Sequence, residues 1–476
     1  MTFSRRLILA IFAILLIPHL AGAQRVWSIR DCIAYALTNN IQIKQQQLSL
    51  RMQEYSLMQS KAQFAPDISG NVYHGYNFGK TVDRYTNEFA ESRVQSDNFS
   101  LNASMTLFNG FSLLNNLAKN KLLIESGKYD VEKMQNDICL NIASGYLNIL
   151  FNQELLANAE AQLDITAQQV ARTKKLVDVG TLARGNLLTI EAQAAAEEYQ
   201  VVNAKNQLDL SYLILTQILY LSSPDSFDIE KPNFVVPEKP EIATTPSLVY
   251  ATALETQPQI KSAEVKVLSA EKDLAISRGY AAPSIRFQGS WSTGYSGIST
   301  EVTGYSYGGE QAIGYVQSDT SMKVVAPVYN PSYSDIPFSD QVIDNQNKSL
   351  GFYLTIPIFS GLQARTNISK AKIGIENARL SLELTKNQLN QDIQRSYSDA
   401  VAAINKYQSA KKAKEAMAEA FFYMQQKFDV GLVNSVDYNE AKKNLSKAES
   451  EMLQAKYEYV FKRTILDFYM GKPIDL

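Results

Sequence analysis

The chain has 476 residues, with 46 basic and 48 acidic side chains, a net charge near −2, two histidines and two cysteines. That inventory excludes a His-rich metal site or a zinc-finger array, and the near-zero charge argues against nucleic acid as a partner, which would need a basic excess on some face. Hydrophobic residues make up 45%, too many for a disordered chain, and 476 residues predict three domains at ~150 each unless the chain repeats itself.

Residues 1–23 read as a secretory signal. Arg5 and Arg6 precede an apolar run of eleven residues from Leu7 to Ile17, and Ala21-Gly22-Ala23 matches a small-x-small cleavage site. The run is too short to span a bilayer, and Gln24, not Cys, follows the cut, which argues against a lipid anchor. Cys32 and Cys139 remain in an exported chain, where one disulfide and two free buried thiols are both open readings. His19 lies in the leader, so any His-dependent catalysis would run through His74 alone. No phosphate loop, zinc spacing or nucleophile elbow occurs, so an enzyme, a metal and a cofactor are not expected. No later segment offers eighteen uninterrupted apolar residues, which leaves a soluble protein, a surface-attached one, or one that crosses a membrane by β-strands.

Two halves repeat. Ala36-Leu37 and Ile43-Lys44 recur as Ala253-Leu254 and Ile260-Lys261, and Ala65-Pro66 recurs as Ala282-Pro283, all displaced by 217 positions. Phe108-Asn109-Gly110 recurs as Phe359-Ser360-Gly361, and Asp178-Val179-Gly180 as Asp429-Val430-Gly431, displaced by 251. We expect a first repeat over 24–222 and a second over 247–476, joined by a proline-rich connector over 223–246.

No proline occurs from Asp67 to Ser223 or from Ile358 to Lys472, so each block can hold a very long helix. Val131, Met134, Ile138, Ile142, Tyr146 and Ile149 fall at threes and fours, as do most of Ala378, Leu382, Leu389, Ile393, Ser396, Ala400, Tyr407 and Ala410. Long helices are predicted over ~112–178 and ~362–429, the first some 67 residues or ~100 Å, with return helices over ~185–221 and ~435–470. Gly180 and Gly431 end the long helices as C-cap glycines before an antiparallel return.

Between the helices the period changes to two. Phe99, Leu101, Ala103, Met105 and Leu107 alternate with polar residues, as do Leu350, Phe352, Leu354, Ile356 and Ile358, predicting strands over ~97–108 and ~349–359. Weaker incoming strands are expected over ~66–78 (Ile68, Gly70, Val72) and ~284–295 (Ile285, Phe287, Trp291). Such strands, about eleven residues long and tilted ~45°, cover ~25 Å, the height of an outer-membrane barrel wall. Four cannot close a barrel, and three copies would make twelve with a usable lumen, so a homotrimeric pore in outer membrane lipid is predicted. The loop over 79–97 is short and polar; that over 296–348 is long, rich in Gly, Tyr and Ser, and is expected to face outside, over the mouth or poorly ordered.

Duplication, hairpins, long helices and Gly tips together resemble the TolC-like outer membrane efflux family, from Trp27-Ser28-Ile29 to Tyr469-Met470-Gly471-Lys472-Pro473. The resemblance implies a mainly α fold with β, a duplicated helix–β-hairpin–long helical hairpin. Three copies would form a 12-strand β-barrel continued by a 12-helix α-barrel through the periplasm. It also implies an exit duct without chemistry of its own, coupled through a periplasmic adaptor (membrane fusion protein) to an inner-membrane pump of RND or ABC type. The family's tip motifs match Val179-Gly180-Thr181-Leu182 and Val430-Gly431-Leu432-Val433, which would contact the adaptor. Its acidic constriction, six and nine residues past the second tip glycine, matches Asp437 and Glu440; the other reading is that both are acids placed by the helix dipole after Asn434 or Ser435. The family's basic partner is replaced by Val433. The competing reading is a periplasmic or surface coiled-coil interaction protein without a pore.

Overall fold

The structure, a computed structural model, describes residues 25–87, 89–90, 93–221, 227–232 and 244–474. The signal reading at 1–23 and most of the proline-rich connector lie outside the described residues. The chain is mainly helical, and it divides into two compact units, each assembled from both halves of the sequence.

The first unit comprises the described residues within 1–54, 122–268 and 376–476. It opens with a short strand β1 (Arg25–Trp27) paired in parallel with β6 (Phe227–Ile229). Helix α1 (Ile29–Asn39) starts at a capping box, in which Ser28 accepts from the Asp31 N–H and the Asp31 carboxylate accepts from the Ser28 N–H. Asn40 then adopts an extended conformation and restarts the chain as α2 (Ile41–Ala62). The second half repeats this break. Helix α5 (Pro246–Thr256), with Thr245 as its cap, passes through extended Gln257 into α6 (Pro258–Gly279). Ala36 and Ala253, and Ile43 and Ile260, are all fully buried, so the paired landmarks occupy equivalent core positions on either side of the break.

Four long helices complete this unit: α3 (Ser112–Asp178), α4 (Arg184–Leu219), α8 (Gln363–Asp429) and α9 (Ser435–Tyr469), of which α3 and α8 continue into the second unit. One core gathers Ile29, Cys32, Ile43, Ile142, Tyr146 and Leu215, and another Val249, Ile260, Leu389 and Ile393. Tyr146 is buried to its hydroxyl, which donates to the Glu230 carbonyl at 2.6 Å.

The second unit, residues 55–121 and 269–375, is built on a four-stranded antiparallel sheet. Its strands are β2 (Asp67–Asn77), β5 (Val94–Asn109), β7 (Ser284–Ser296) and β10 (Asn347–Thr355), in the order β10-β7-β5-β2. Two short strands, β3 (Thr81–Val82) and β4 (Phe89–Ala90), lie between β2 and β5.

Three strand expectations are corrected. Strand β10 stops at Thr355, four residues before the expected end, ahead of Pro357, which has no N–H for a ladder. Leu107 does not continue the apolar alternation of β5: the register shifts there, and Phe108 takes the rung opposite Ile285. The long segment after β7 is not a loop but a paired ribbon of two 17-residue strands, β8 (Thr300–Val316) and β9 (Asp319–Asp335), followed by the short helix α7 (Phe338–Asp344).

Candidate functional site

Because neighbours across a rung share a face, the register of the four-stranded sheet defines its two surfaces. On one, Phe352, Phe287 and Met105 form a rung, and the next runs Leu350, Gly289, Ala103 and Ile68. On the other, Ser349, Ser290, Asn102 and Ser69 line up, with Ser290 and Ser349 hydroxyls 2.8 Å apart. The apolar surface is uncovered in the single chain: Leu350 is 79% and Phe352 72% exposed. Among the described residues β2 and β10 each have one strand partner, so both edges of the sheet are open. The His74 Nδ1 is in hydrogen-bond contact with the carboxylate of Asp97, its rung partner near the end of β2.

The two tips close alike. Gly180 (φ 81°) donates its N–H to the Val177 carbonyl and Thr181 to the Leu176 carbonyl at 2.9 Å each. Gly431 (φ 79°) and Leu432 donate to Phe428 at 3.0 Å and Lys427 at 2.9 Å. These crossed bonds use up carbonyls that a helix end leaves unsatisfied, and the left-handed backbone they require is why glycine stands there. At the first tip Thr181 also donates its hydroxyl to the Leu176 carbonyl at 2.7 Å. Val179, Val430 and Leu432 are exposed around the glycines, Leu182 less so, and Val433 is half-buried.

Asn434 caps α9, its side-chain oxygen accepting from the Val436 and Asp437 N–H groups at 2.9 Å each. Asp437 lies in the first turn and Glu440 one turn on, both exposed and on neighbouring helical positions.

Two polar ties near these ends were not anticipated from the sequence. Arg172, on the last turns of α3, donates to the Asp429 carboxylate of α8 at 2.5 Å, a surface pair. Deeper in, Lys442 of α9 is 2% exposed and its ammonium donates to the Gln162 carbonyl at 2.7 Å, to Thr166, and to both Glu197 oxygens at 3.1 Å. Burial lowers the Lys442 pKa, and the Glu197 charge opposes that shift. The node joins α3, α4 and α9 through residues more than 200 positions apart, which no local period can reveal. The one sequence clue is the small run Ala194-Ala195-Ala196 beside Glu197, which lets a neighbouring helix come close.

Both cysteines are free, which rules out the disulfide; Cys32 is buried as the other reading expects, and Cys139 is only half-buried.

No helix among the described residues is long and apolar enough to cross a membrane. Known proteins that this chain resembles are nevertheless outer membrane proteins. The model of a family described as outer membrane efflux protein matches residues 32–219 and 249–472. The outer membrane efflux protein BepC of Brucella suis biovar 1 (strain 1330) is 20% identical over 436 residues, covering 91% of this chain and 83% of that one. The outer membrane protein TolC of Escherichia coli (strain K12) is 24% identical over 342 residues, covering 71% of this chain and 62% of that one. The crystal structure of the outer membrane protein VceC of Vibrio cholerae shares the fold, with a TM-score of 0.72 at 13% identity over 94% of this chain and 97% of that chain. The chain therefore belongs to the outer membrane efflux protein family.

Proposed function

We propose that three copies of the chain join their sheets edge to edge into a twelve-stranded barrel in the outer membrane, continued through the periplasm by a barrel of twelve long helices. The observation that carries this reading is the sheet, with an apolar face left uncovered and two open edges. Open edges are not tolerated in lipid, and pairing β2 of one copy with β10 of the next removes them all. The eleven residues of β2, tilted ~45°, reach ~25 Å, enough for the apolar band. The coiled-coil alternative without a pore has no use for an apolar sheet face of that height.

The assembly is an exit duct, and cargo enters from an inner-membrane pump of RND or ABC type through a periplasmic adaptor. Val179, Gly180, Thr181 and Leu182, with Val430, Gly431, Leu432 and Val433, form the contacts for the adaptor. Their exposed apolar side chains around rigid turns support that role. Asp437 and Glu440 form two carboxylate rings at the constriction under threefold symmetry, favouring cations while the duct is narrow. Their exposure supports this assignment, and the helix dipole explains their placement without opposing it. The two matched stretches of the family model support a duplication with repeats over 24–222 and 247–476.

The test has two parts. The chain should be recovered in the outer membrane fraction as a trimer that runs intact unheated and as monomer after heating; absence from that fraction sinks the pore. In planar bilayers, Asp437→Asn with Glu440→Gln should reduce cation selectivity, and unchanged selectivity removes the ring assignment alone.

A further inference from the structure

The β8–β9 ribbon has two unlike faces, although its sequence shows no simple alternation. Strand β9 alternates strictly, placing Tyr329, Pro331 and Tyr333 on one side. On β8 the side chains opposite them, Tyr307, Tyr305 and Val302, are spaced by two and three, which would scatter them over both faces of a regular strand. Register shifts pass over Thr303, Gly308 and Ile313, one extra residue at every fifth position, and each restores the side that an odd spacing would have lost. The outcome is a single face carrying Tyr305, Tyr307, Tyr315, Tyr329 and Tyr333, with Tyr307 and Tyr329 in edge contact at 6.1 Å. Behind it, Gly304, Gly309 and Gly314 recur every five residues on the opposite face. A Cβ added at any of the three would meet nothing within 4 Å, so the face is bare and open there.

We infer that this ribbon is an intersubunit surface, with the tyrosine face of one copy packed on the flat, glycine-bearing face of the next. The inference rests on the trimer proposed above. Rotation about a threefold axis brings two different patches of each chain together, and the ribbon supplies a bulky one and a flat one. It also stands at the seam, being inserted between β7 and β10, and β10 is one of the open edges. The tyrosines are 57–70% exposed. At ~150–250 Å² per side chain they leave roughly 600 Å² uncovered in each copy. That is at the top of the ~300–600 Å² that the largest apolar patch of a monomer covers, and about three-quarters of the ~800 Å² per partner of a stable interface. A two-stranded ribbon alone is marginally stable in water, so a cover is also what the fold needs. The charged residues on the tyrosine face, Glu310, Lys323 and Asp335, are of mixed sign, so it presents no single-sign patch for a charged partner.

The test is a pair of cysteines at one height of the ribbon, Tyr307→Cys on the tyrosine face and Asn330→Cys on the other. Within one copy their side chains point apart and cannot bond. Mild oxidation of the full-length trimer should convert most of the doubly substituted chain to a covalent trimer on denaturing gels. Each single variant should stay at the background set by the parent chain, which keeps Cys32 and Cys139. A covalent dimer from Tyr307→Cys alone overturns the inference, because tyrosine faces would then meet each other. No cross-link in an assembly that still runs as a trimer unheated also overturns it and assigns the face to an outside partner, leaving the duct proposal intact. Loss of the trimer in the unsubstituted chain overturns both.

Discussion

Cys32 and Cys139 carry a consequence of burial that can be read chemically. Removal from water pushes the Cys32 thiol up from 9.0 to about 12, with the neighbouring Asp31 charge adding to the shift, and pushes Cys139 up to about 11. A raised folded-state pKa contributes stability that is fully present below the unfolded value of 9.0 and fades as pH climbs through 11 and 12. At pH 8 both groups should therefore be protonated thiols in the folded protein, and poor nucleophiles. Mass spectrometry after iodoacetamide at pH 8 should find neither alkylated in the native protein and both alkylated after denaturation. Rapid labelling of native Cys32 would contradict its burial, and rapid labelling of Cys139 the raised pKa of its half-buried thiol. The count of two cysteines was legible in the sequence, but their state was not, since pairing depends on a distance that composition does not contain.

Among the elements, the long helices were the most legible part. Ile138, Ile142, Tyr146 and Ile149 in α3, and Leu389, Ile393 and Ala400 in α8, fall at helical spacing and are buried. Lys442 was not legible, because a lysine beside another lysine on a charged helix reads as solvated, and its partners lie far away in sequence. The node makes a firm prediction about the packing of α3, α4 and α9. Lys442→Met leaves the Glu197 carboxylate, 13% exposed, without its cation. Removing one member of a buried pair typically costs about 3 kcal/mol, whereas removing both can be nearly neutral. Thermal unfolding of the single variant should shift well below that of the parent, and Lys442→Met with Glu197→Gln should recover most of the loss. Equal losses in the two would mean that Glu197 draws nothing from the ammonium. The exposed Arg172–Asp429 pair, by contrast, should matter by less than ~1 kcal/mol.

For the whole molecule, the strands of the four-stranded sheet were legible in the sequence, because polar and apolar residues alternate cleanly from Asn98 to Met105. The sequence did not disclose the ribbon, because one extra residue in every five breaks both the strand and the helix period. The two faces of the sheet predict unequal effects of one charge. Phe352→Arg places a guanidinium on the apolar face, at a cost of ~2–4 kcal/mol near the middle of a bilayer, whereas Ser349→Arg places it on the polar one. Recovery of heat-sensitive trimer from outer membranes should fall sharply for the first and little for the second; equal recovery would reverse or abolish the lipid-facing assignment. The division of the chain into two units has a different consequence, for anyone who would graft one onto a relative. The boundaries fall after residues 54, 121, 268 and 375, and these positions lie inside α2, α3, α6 and α8. None falls in a loop, so neither unit is one continuous length of chain and every splice must be made in the middle of a helix. A junction that gains or drops one residue turns all later side chains of that helix by ~100°, which in α8 would swing Ile393 off its seam. Chimeras between relatives should therefore be designed by helical phase, with insertions of whole heptads and never of convenient restriction-site remnants.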